Sequence, residues 1–332
     1  MLSEEIPTEH VACDLCGSKE QRVLHIKRDY VTGQNVTLVE CSCGMAFVNP
    51  MPTVEAIPRL YPEEYLKDKP LSHSLYKEML KLLPRHPSGS LLDIGCGRGD
   101  FIARASEAGW KAEGVDLIAW ENPSDLSIRV GDFPTMDFPQ DHYDVITAWA
   151  VLEHVRSPSL FFQKISRLLK HDGVFLFTAP NFEALGMRTS CTEDIPQHLS
   201  LFSKRSVFRH LSNVGLEARK IYHTDKLYTC YPFGLFRYAI SRLNGREEIR
   251  CSAYDNLAVR LLQNRQFKGH ARTWLKQVVT ILGPKDLALD FVDIFIGLVL
   301  AEVSKLVRNY GVMTVVAGKP RQKKSNPNEE DC

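Results

Sequence analysis

The chain has 332 residues, 41 of them basic and 40 acidic, and 44% are hydrophobic. That is enough apolar material for one large core or two modest ones, and the balanced charge leaves no electrostatic footprint for a nucleic acid. The start, Met1-Leu2-Ser3-Glu4-Glu5, is acidic and unlike a secretory leader, and the longest apolar run, residues 294–301, is too short to span a bilayer as a helix. Nine cysteines in such a chain read as thiols of a reducing compartment, so the expectation is a cytoplasmic protein.

Four of the nine fall in residues 1–50, as Cys13-Asp-Leu-Cys16-Gly and Cys41-Ser-Cys43-Gly. A glycine after each pair permits the tight turn that aims two thiolates at one ion. Between the pairs, Val23–Ile26 and Val36–Val39 read as strands joined near Gly33. Two knuckles on a small hairpin are the layout of a zinc ribbon, with Cys13, Cys16, Cys41 and Cys43 as the ligands of a structural Zn2+. The second knuckle is one residue tighter than usual. The plain alternative is four unrelated cytosolic thiols. Residues 51–88 then form a helical linker, with short helices expected over 54–61 and 71–83, and prolines at 84 and 87 end it.

Residues 89–224 alternate strands and helices. Leu91-Leu92-Asp93-Ile94 is an apolar strand, Gly95-Cys96-Gly97-Arg98-Gly99 a tight loop, and residues 100–109 a helix stopped by Gly109. A dinucleotide loop would space its glycines G-x-G-x-x-G and set a pyrophosphate on the helix start. Here the spacing is G-x-G-x-G, and a carboxylate at Asp93 would repel a pyrophosphate but could hold an ammonium. That suits the amino-acid end of S-adenosylmethionine (SAM). Further strands are expected at 112–116, ending in Asp116, at 128–133, ending in Asp132-Phe133, at 143–149, at 174–179 and at 216–223. A carboxylate at Asp116 can accept two ribose hydroxyls, an ordinary polar strand end being the alternative, and Asp132 could accept from an adenine amino group, with the Phe133 ring on the base. The link 117–127 is too short for the usual crossover helix. A helix is expected over 160–169, and another over 203–213 with Ser203 as its cap.

The last third departs from a short closing hairpin. The only good candidate for a seventh strand is 311–317, so residues 225–310 form a helical insertion, with segments at 233–243, 253–263, 271–282 and 287–307. It reads as a cap over a substrate pocket, or, through residues 291–300, as an apolar face for a membrane or lipid-linked acceptor. Residues 311–320 close the sheet, and 321–332 are a polar tail expected to be disordered.

Taken together, Asp93-x-Gly95-x-Gly97-x-Gly99, Val151-Leu-Glu153-His154-Val155, and Pro196-Gln-His198-Leu-Ser-Leu-Phe202-Ser203 resemble the class I SAM-dependent methyltransferases, in particular the branch with an N-terminal zinc ribbon. Cys43-Gly44 leading to Asn49-Pro50 and Leu60-Tyr61-Pro62 follows the same pattern. The resemblance covers roughly residues 10–223 and the closing strand. It implies a doubly wound, seven-stranded Rossmann-like sheet, an α/β fold carrying the ribbon and the late helical insertion. It implies SAM as cofactor, with Asp93 and Gly95 at the methionine end, Asp116 at the ribose and Asp132 at the adenine. Cys96, Gly97, Gly99, Leu117, Phe133, Ala148 and Trp149 complete the cofactor set.

Methyl transfer from a sulfonium needs alignment and, for most oxygen acceptors, removal of a proton. His154 and His198 are the candidate catalytic bases, since imidazole titrates near neutrality. For His154 a packing role beside Glu153 is the alternative, and for His198 a loop anchor. Glu193 and Asp194 read as a solvated acidic pair, and Cys191 as inert. The expected partner is a small-molecule, sugar or lipid-linked acceptor bearing a hydroxyl (a sugar, polyketide, lipid or quinone-like compound), with no nucleic acid and a peripheral membrane contact through 225–310. Carbon methylation of a nucleotide sugar is the second enzymatic reading, and a binding protein that keeps the fold without turnover is the third.

Overall fold

The computed structural model describes residues 5–28, 34–61, 73–85, 89–121, 125–189, 195–223, 227, 235–244, 248–249, eight helical positions between 292 and 306, and 311–321. The amino-terminal part is built of short strands: β1 (Thr8–Glu9), β2 (Gln21–Arg28), β3 (Asn35–Cys41), β4 (Ala46–Val48) and β5 (Met51–Pro52). β2, β3 and β4 pair antiparallel in sequence, and β1 pairs with β5. Gly17 and Gly44, each just past a cysteine pair, sit at φ +74° and +93°, a turn that side chains resist. The linker follows as a 3-10 helix, Val54–Leu60, and α1 (His73–Leu80).

The larger unit contains β6 (Ser90–Ile94), α2 (Asp100–Glu107), β7 (Lys111–Asp116), β8 (Ile128–Val130), β9 (Tyr143–Trp149), α3 (Pro158–Leu168), β10 (Leu169–Pro180), β11 (Ser200–Leu201), α4 (Lys204–Asn213), β12 (Glu217–His223), α5 (Leu235–Leu243), β13 (Glu248–Ile249) and β14 (Val312–Gly318). Seven of these strands form one sheet in the order β12-β14-β10-β9-β6-β7-β8. β8, β7, β6, β9 and β10 run parallel, while β14 is antiparallel to both β10 and β12. The central strands β6 and β9 are covered on both faces, which is why they read as near-continuous apolar runs. This is the expected doubly wound sheet, closed by the expected late strand.

Three local expectations shift. The strand expected over 128–133 stops at Val130, because the chain turns at Gly131 and residues 133–136 are tied down by Lys164. β10 begins at Leu169 and continues through Asp172-Gly173, with a register shift between Leu169 and Val174, where a turn was expected. β11, within the Pro196–Ser203 motif, pairs with β4, so the motif extends the amino-terminal sheet to β11-β4-β3-β2-β13. Of the expected late helices, residues 253–263 and 271–282 lie outside the described residues, as do 322–332 of the tail.

Both units share one hydrophobic cluster. Cys13, Leu15, Val39 and Phe47 of the first pack with Leu92, Ile146, Phe162 and Phe202 of the second. Phe162 is fully buried and its ring meets Phe175 and Phe177 edge-on; truncating such a residue to alanine costs about 3–5 kcal/mol. Polar ties reinforce the joint. Asp14, inside the first cysteine pair, accepts from the Ser159 amide at 2.8 Å and its hydroxyl at 2.7 Å. Ser157, the residue before α3, makes no side-chain cap bond, so Asp14 caps this helix from a distant part of the chain.

Candidate functional site

The carboxyl edge of the parallel strands gathers the predicted residues. The Gly95 and Cys96 amides donate to the Val115 carbonyl at 2.8 and 3.2 Å, docking the loop on β7. Gly95 is at φ +68°, and a Cβ there would fall 2.5 Å from Val151 Cγ2. Gly97, at φ +55°, faces open space instead, with nothing within 4 Å of where a Cβ would be. The first glycine serves packing, and the second leaves bare backbone for a ligand. Gly99 opens α2, whose Phe101, Ile102 and Ala105 are buried.

Asp93 is 2% exposed and accepts from Thr147 Oγ1 at 2.6 Å. Burial pushes its carboxyl up to about 8, against the Thr147 hydrogen bond and with the Asp116 charge adding to the rise. An ammonium beside it would restore the ionised form. Asp116 Oδ2 accepts from the Gly97 amide at 2.8 Å, and Oδ1 from the Ile118 amide at 2.9 Å and Trp120 Nε1 at 3.2 Å. It therefore ties the glycine loop to the end of β7, and its carboxylate keeps lone pairs for a diol.

The remaining predicted cofactor residues divide. Ala148 is buried, and Trp149 packs edge-on to Phe101 with centroids 5.5 Å apart. Among the described residues the buried Trp149 Nε1 has no hydrogen-bond partner, a donor left over at the end of β9. Leu117 and Asp132 lie exposed at the ends of β7 and β8. The Cys96 thiol is buried against Gly114, so this residue offers only backbone to the loop's open side. Phe133 needs correction as a base-stacking ring: it is 3% exposed, packed on Phe138 and Phe161, and belongs to the core.

Beside the glycine loop the chain leaves β9 through Ala150 at φ +55°, held by its amide donating to Thr178 Oγ1 at 2.8 Å. This sharp exit sets Val151 on Gly95 and carries Glu153 and His154 to the sheet edge. The Leu199 and Ser200 amides donate to the Glu153 carbonyl at 2.8 and 3.1 Å, which brings His198 against His154 with ring centroids 4.7 Å apart. His154 Nδ1 lies 3.2 Å from the Gln197 carbonyl and 3.2 Å from the Tyr61 hydroxyl. Burial, with His198 alongside, lowers His154 to about 3 and keeps it neutral. Cys191, Glu193 and Asp194 lie outside the described residues.

At the other end of the shared core, Cys13 and Cys43 Sγ are 3.5 Å apart, as are Cys16 and Cys41 Sγ, and all four lie within 4.8 Å of one another. A tetrahedron of zinc–sulfur bonds has edges of about 3.8 Å, so the four thiols fit one ion. Cys41, though burial works against it, is held down to about 7 by the Cys43 amide and the neighbouring thiols.

Sequence reasoning missed Thr147, Tyr61, Glu153 as a buried group, and Asp14 as a cap. Thr147 had a signal, since in adjacent parallel strands it faces Asp93. Tyr61 had only its place in a motif.

Residues 66–221 match the model of a family described as a methyltransferase domain. A ubiquinone biosynthesis O-methyltransferase of Actinobacillus pleuropneumoniae serotype 7 (strain AP76) is 32% identical over 106 residues, which covers 27% of this chain and 45% of the relative. Nocamycin O-methyltransferase of Saccharothrix syringae is 29% identical over 118 residues, covering 31% and 42%. The chain thus spans less than half the length of these curated relatives. Among solved structures, phosphoethanolamine N-methyltransferase 2 of Haemonchus contortus in complex with SAM is similar with a TM-score of 0.45 and 15% identity, over 81% of this chain and 58% of that one.

Proposed function

We propose that the chain, whose residues 66–221 match the methyltransferase-domain model, is a SAM-dependent methyltransferase that acts on an oxygen of a small-molecule or sugar acceptor. SAM supplies the methyl group as an electrophile on a sulfonium. The chain's own residues hold and orient. Asp93 receives the ammonium, the bare backbone at Gly97 accommodates the methionine end, and Asp116 takes the ribose hydroxyls. The observation that carries the reading is the placement of two imidazoles side by side: His154 follows by three residues the side chain that packs on Gly95, and His198 lies against it with ring centroids 4.7 Å apart. An acceptor hydroxyl there meets a neutral His154 as hydrogen-bond partner. A base with so low a proton affinity takes little of the proton in the transition state, so that task falls to His198.

The oxygen acceptor is favoured by the two curated relatives above, both O-methyltransferases by name. A structural zinc on Cys13, Cys16, Cys41 and Cys43, residence in the cytoplasm and a peripheral membrane contact belong to the same proposal. The last draws on Val292, Phe295, Val299 and Leu306, helical and exposed at spacings near a single face. No helix among the described residues is long and apolar enough to cross a membrane.

Calorimetry with SAM tests the premise, and an absence of heat would sink it. Screening acceptors with labelled SAM then identifies the substrate, and the product's linkage separates an O-methyl ether from carbon methylation. Metal analysis should return about one zinc per chain.

A further inference from the structure

We propose that Glu153, His154 and His198 form a second metal site, which holds a divalent transition-metal cation beside the glycine loop. One donor atom from each of the three lies within 4.8 Å of the others. Ligands of a first-row ion sit about 3.0–3.5 Å apart, so small side-chain movements complete the set. Two imidazoles and one carboxylate with further positions open is a donor set suited to such ions. It differs in kind from the four thiols, which close their own shell.

The surroundings prepare these ligands. Glu153 is 2% exposed, and its backbone carbonyl accepts from both Leu199 and Ser200, so the loop bearing His198 is clamped to the residue bearing the carboxylate. Because the Gln197 carbonyl can only accept, its 3.2 Å contact places the hydrogen of His154 on Nδ1. That leaves Nε2 with its lone pair, the state a metal ligand needs, fixed by the kind of outer partner that metal-binding histidines use. Tyr61, from the linker, packs on the same nitrogen at 3.2 Å.

This inference rests on the methyltransferase reading for its purpose and deepens it. The acceptor hydroxyl would bind the cation in an open position and become more acidic. It would give its proton to bulk water, and its oxygen pair would form the new bond to the methyl carbon as the carbon–sulfur bond breaks and that pair returns to sulfur. The imidazoles then act as ligands, and the cation takes over the task otherwise left to His198.

Mn2+ is the probe, because the hard ion prefers nitrogen and oxygen and avoids the thiolate site. Titrating the full chain, dialysed against metal-free buffer without a chelator so that the thiolate site keeps its ion, should show by electron paramagnetic resonance one Mn2+ bound per chain. Glu153→Gln and His198→Asn should each weaken that binding at least tenfold while SAM affinity stays within about twofold. In the unmodified protein, electron spin echo modulation should report directly bound imidazole nitrogen, a readout that does not depend on any variant folding. No Mn2+ uptake, no nitrogen modulation, or uptake unchanged in both variants overturns the site. Mn2+ uptake with nitrogen modulation but without any SAM heat would keep the site and sink the methyltransferase reading; SAM heat without Mn2+ uptake would do the reverse.

Discussion

The two sides of the sheet's carboxyl edge are made differently. The cofactor side comes from one continuous stretch, Asp93 to Gly99, completed by Thr147 and Asp116 on the two strands that flank β6. The acceptor side is assembled from Tyr61, Glu153-His154 and Gln197-His198, three segments from different parts of the chain. Strand pairing fixes the first to within hydrogen-bond distances before any ligand arrives. The second depends on the linker and on a loop whose β11 is paired to the amino-terminal sheet. A local motif can be exchanged between folds as a unit, whereas a site made of remote segments changes whenever one of its supports does. On the proposed reading, specificity for the acceptor belongs to the assembled side.

The largest effect should come from the cofactor side. Asp93→Ala removes the buried carboxylate proposed to face the ammonium and should weaken SAM binding about a thousandfold, about 4 kcal/mol. Unchanged affinity by calorimetry would break the contrast, because the contiguous motif would then not be the cofactor's seat. On the assembled side, His198→Ala should lower kcat about a hundredfold while SAM affinity is kept. A loss under threefold would reduce His198 to a loop anchor.

Asp93 also gives the contrast a pH signature. Its carboxyl, at about 8 in the folded protein and near 3.8 when unfolded, keeps a proton in the native state that the unfolded chain gives up. Stability of the protein without SAM therefore falls as pH rises from about 4 to 8. His210, stacked on Phe162 and lowered to about 4 by burial, and His154, lowered to about 3, pull the opposite way below 6.5, and Cys41, lowered to about 7, does so above 7, so the Asp93 contribution is cleanest between 6.5 and 7. Asp93→Asn should remove it in thermal melts. SAM binding should release close to one proton at pH 7 and tighten up to about tenfold for each unit by which pH rises toward 8. Calorimetric heats that do not change between buffers of different ionisation enthalpy would refute this.

The same division explains what was legible in the sequence. Strand, loop and helix around Asp93 follow from hydrophobic runs and glycine spacing, which are local. The sheet followed from alternation, and the existence of its last strand from the one apolar stretch after residue 310. Phe133 was misread because an Asp-Phe at a strand end looks alike whether the ring faces a ligand or the core. The deciding neighbours, Phe138 and Phe161, arrive through a turn and a helix. Tyr61 and the Glu153 carboxylate carried no periodic signal, since their meaning arises only when the Pro196–Ser203 loop closes on Glu153. The early start of β10 was hidden by Asp172-Gly173, a pair that usually marks a turn but here is absorbed by a register shift.

The smallest effect concerns the joint between the units. Asp14 stands between two of the predicted zinc ligands, yet its carboxylate caps α3 through Ser159, and burial raises its pKa against those two hydrogen bonds. Asp14→Ala leaves every thiol in place, so any loss reports the cap alone. It should cost about 1 kcal/mol, a typical N-cap loss, with zinc content unchanged. The stability lost should be shared by the whole molecule in a single transition, because one hydrophobic cluster joins the thiol-bearing hairpin to the sheet. If denaturant unfolding instead splits into two transitions, the amino-terminal unit is only tethered to the sheet. The acceptor side would then rest on a support that moves, since β11 and the His198 loop hang from β4.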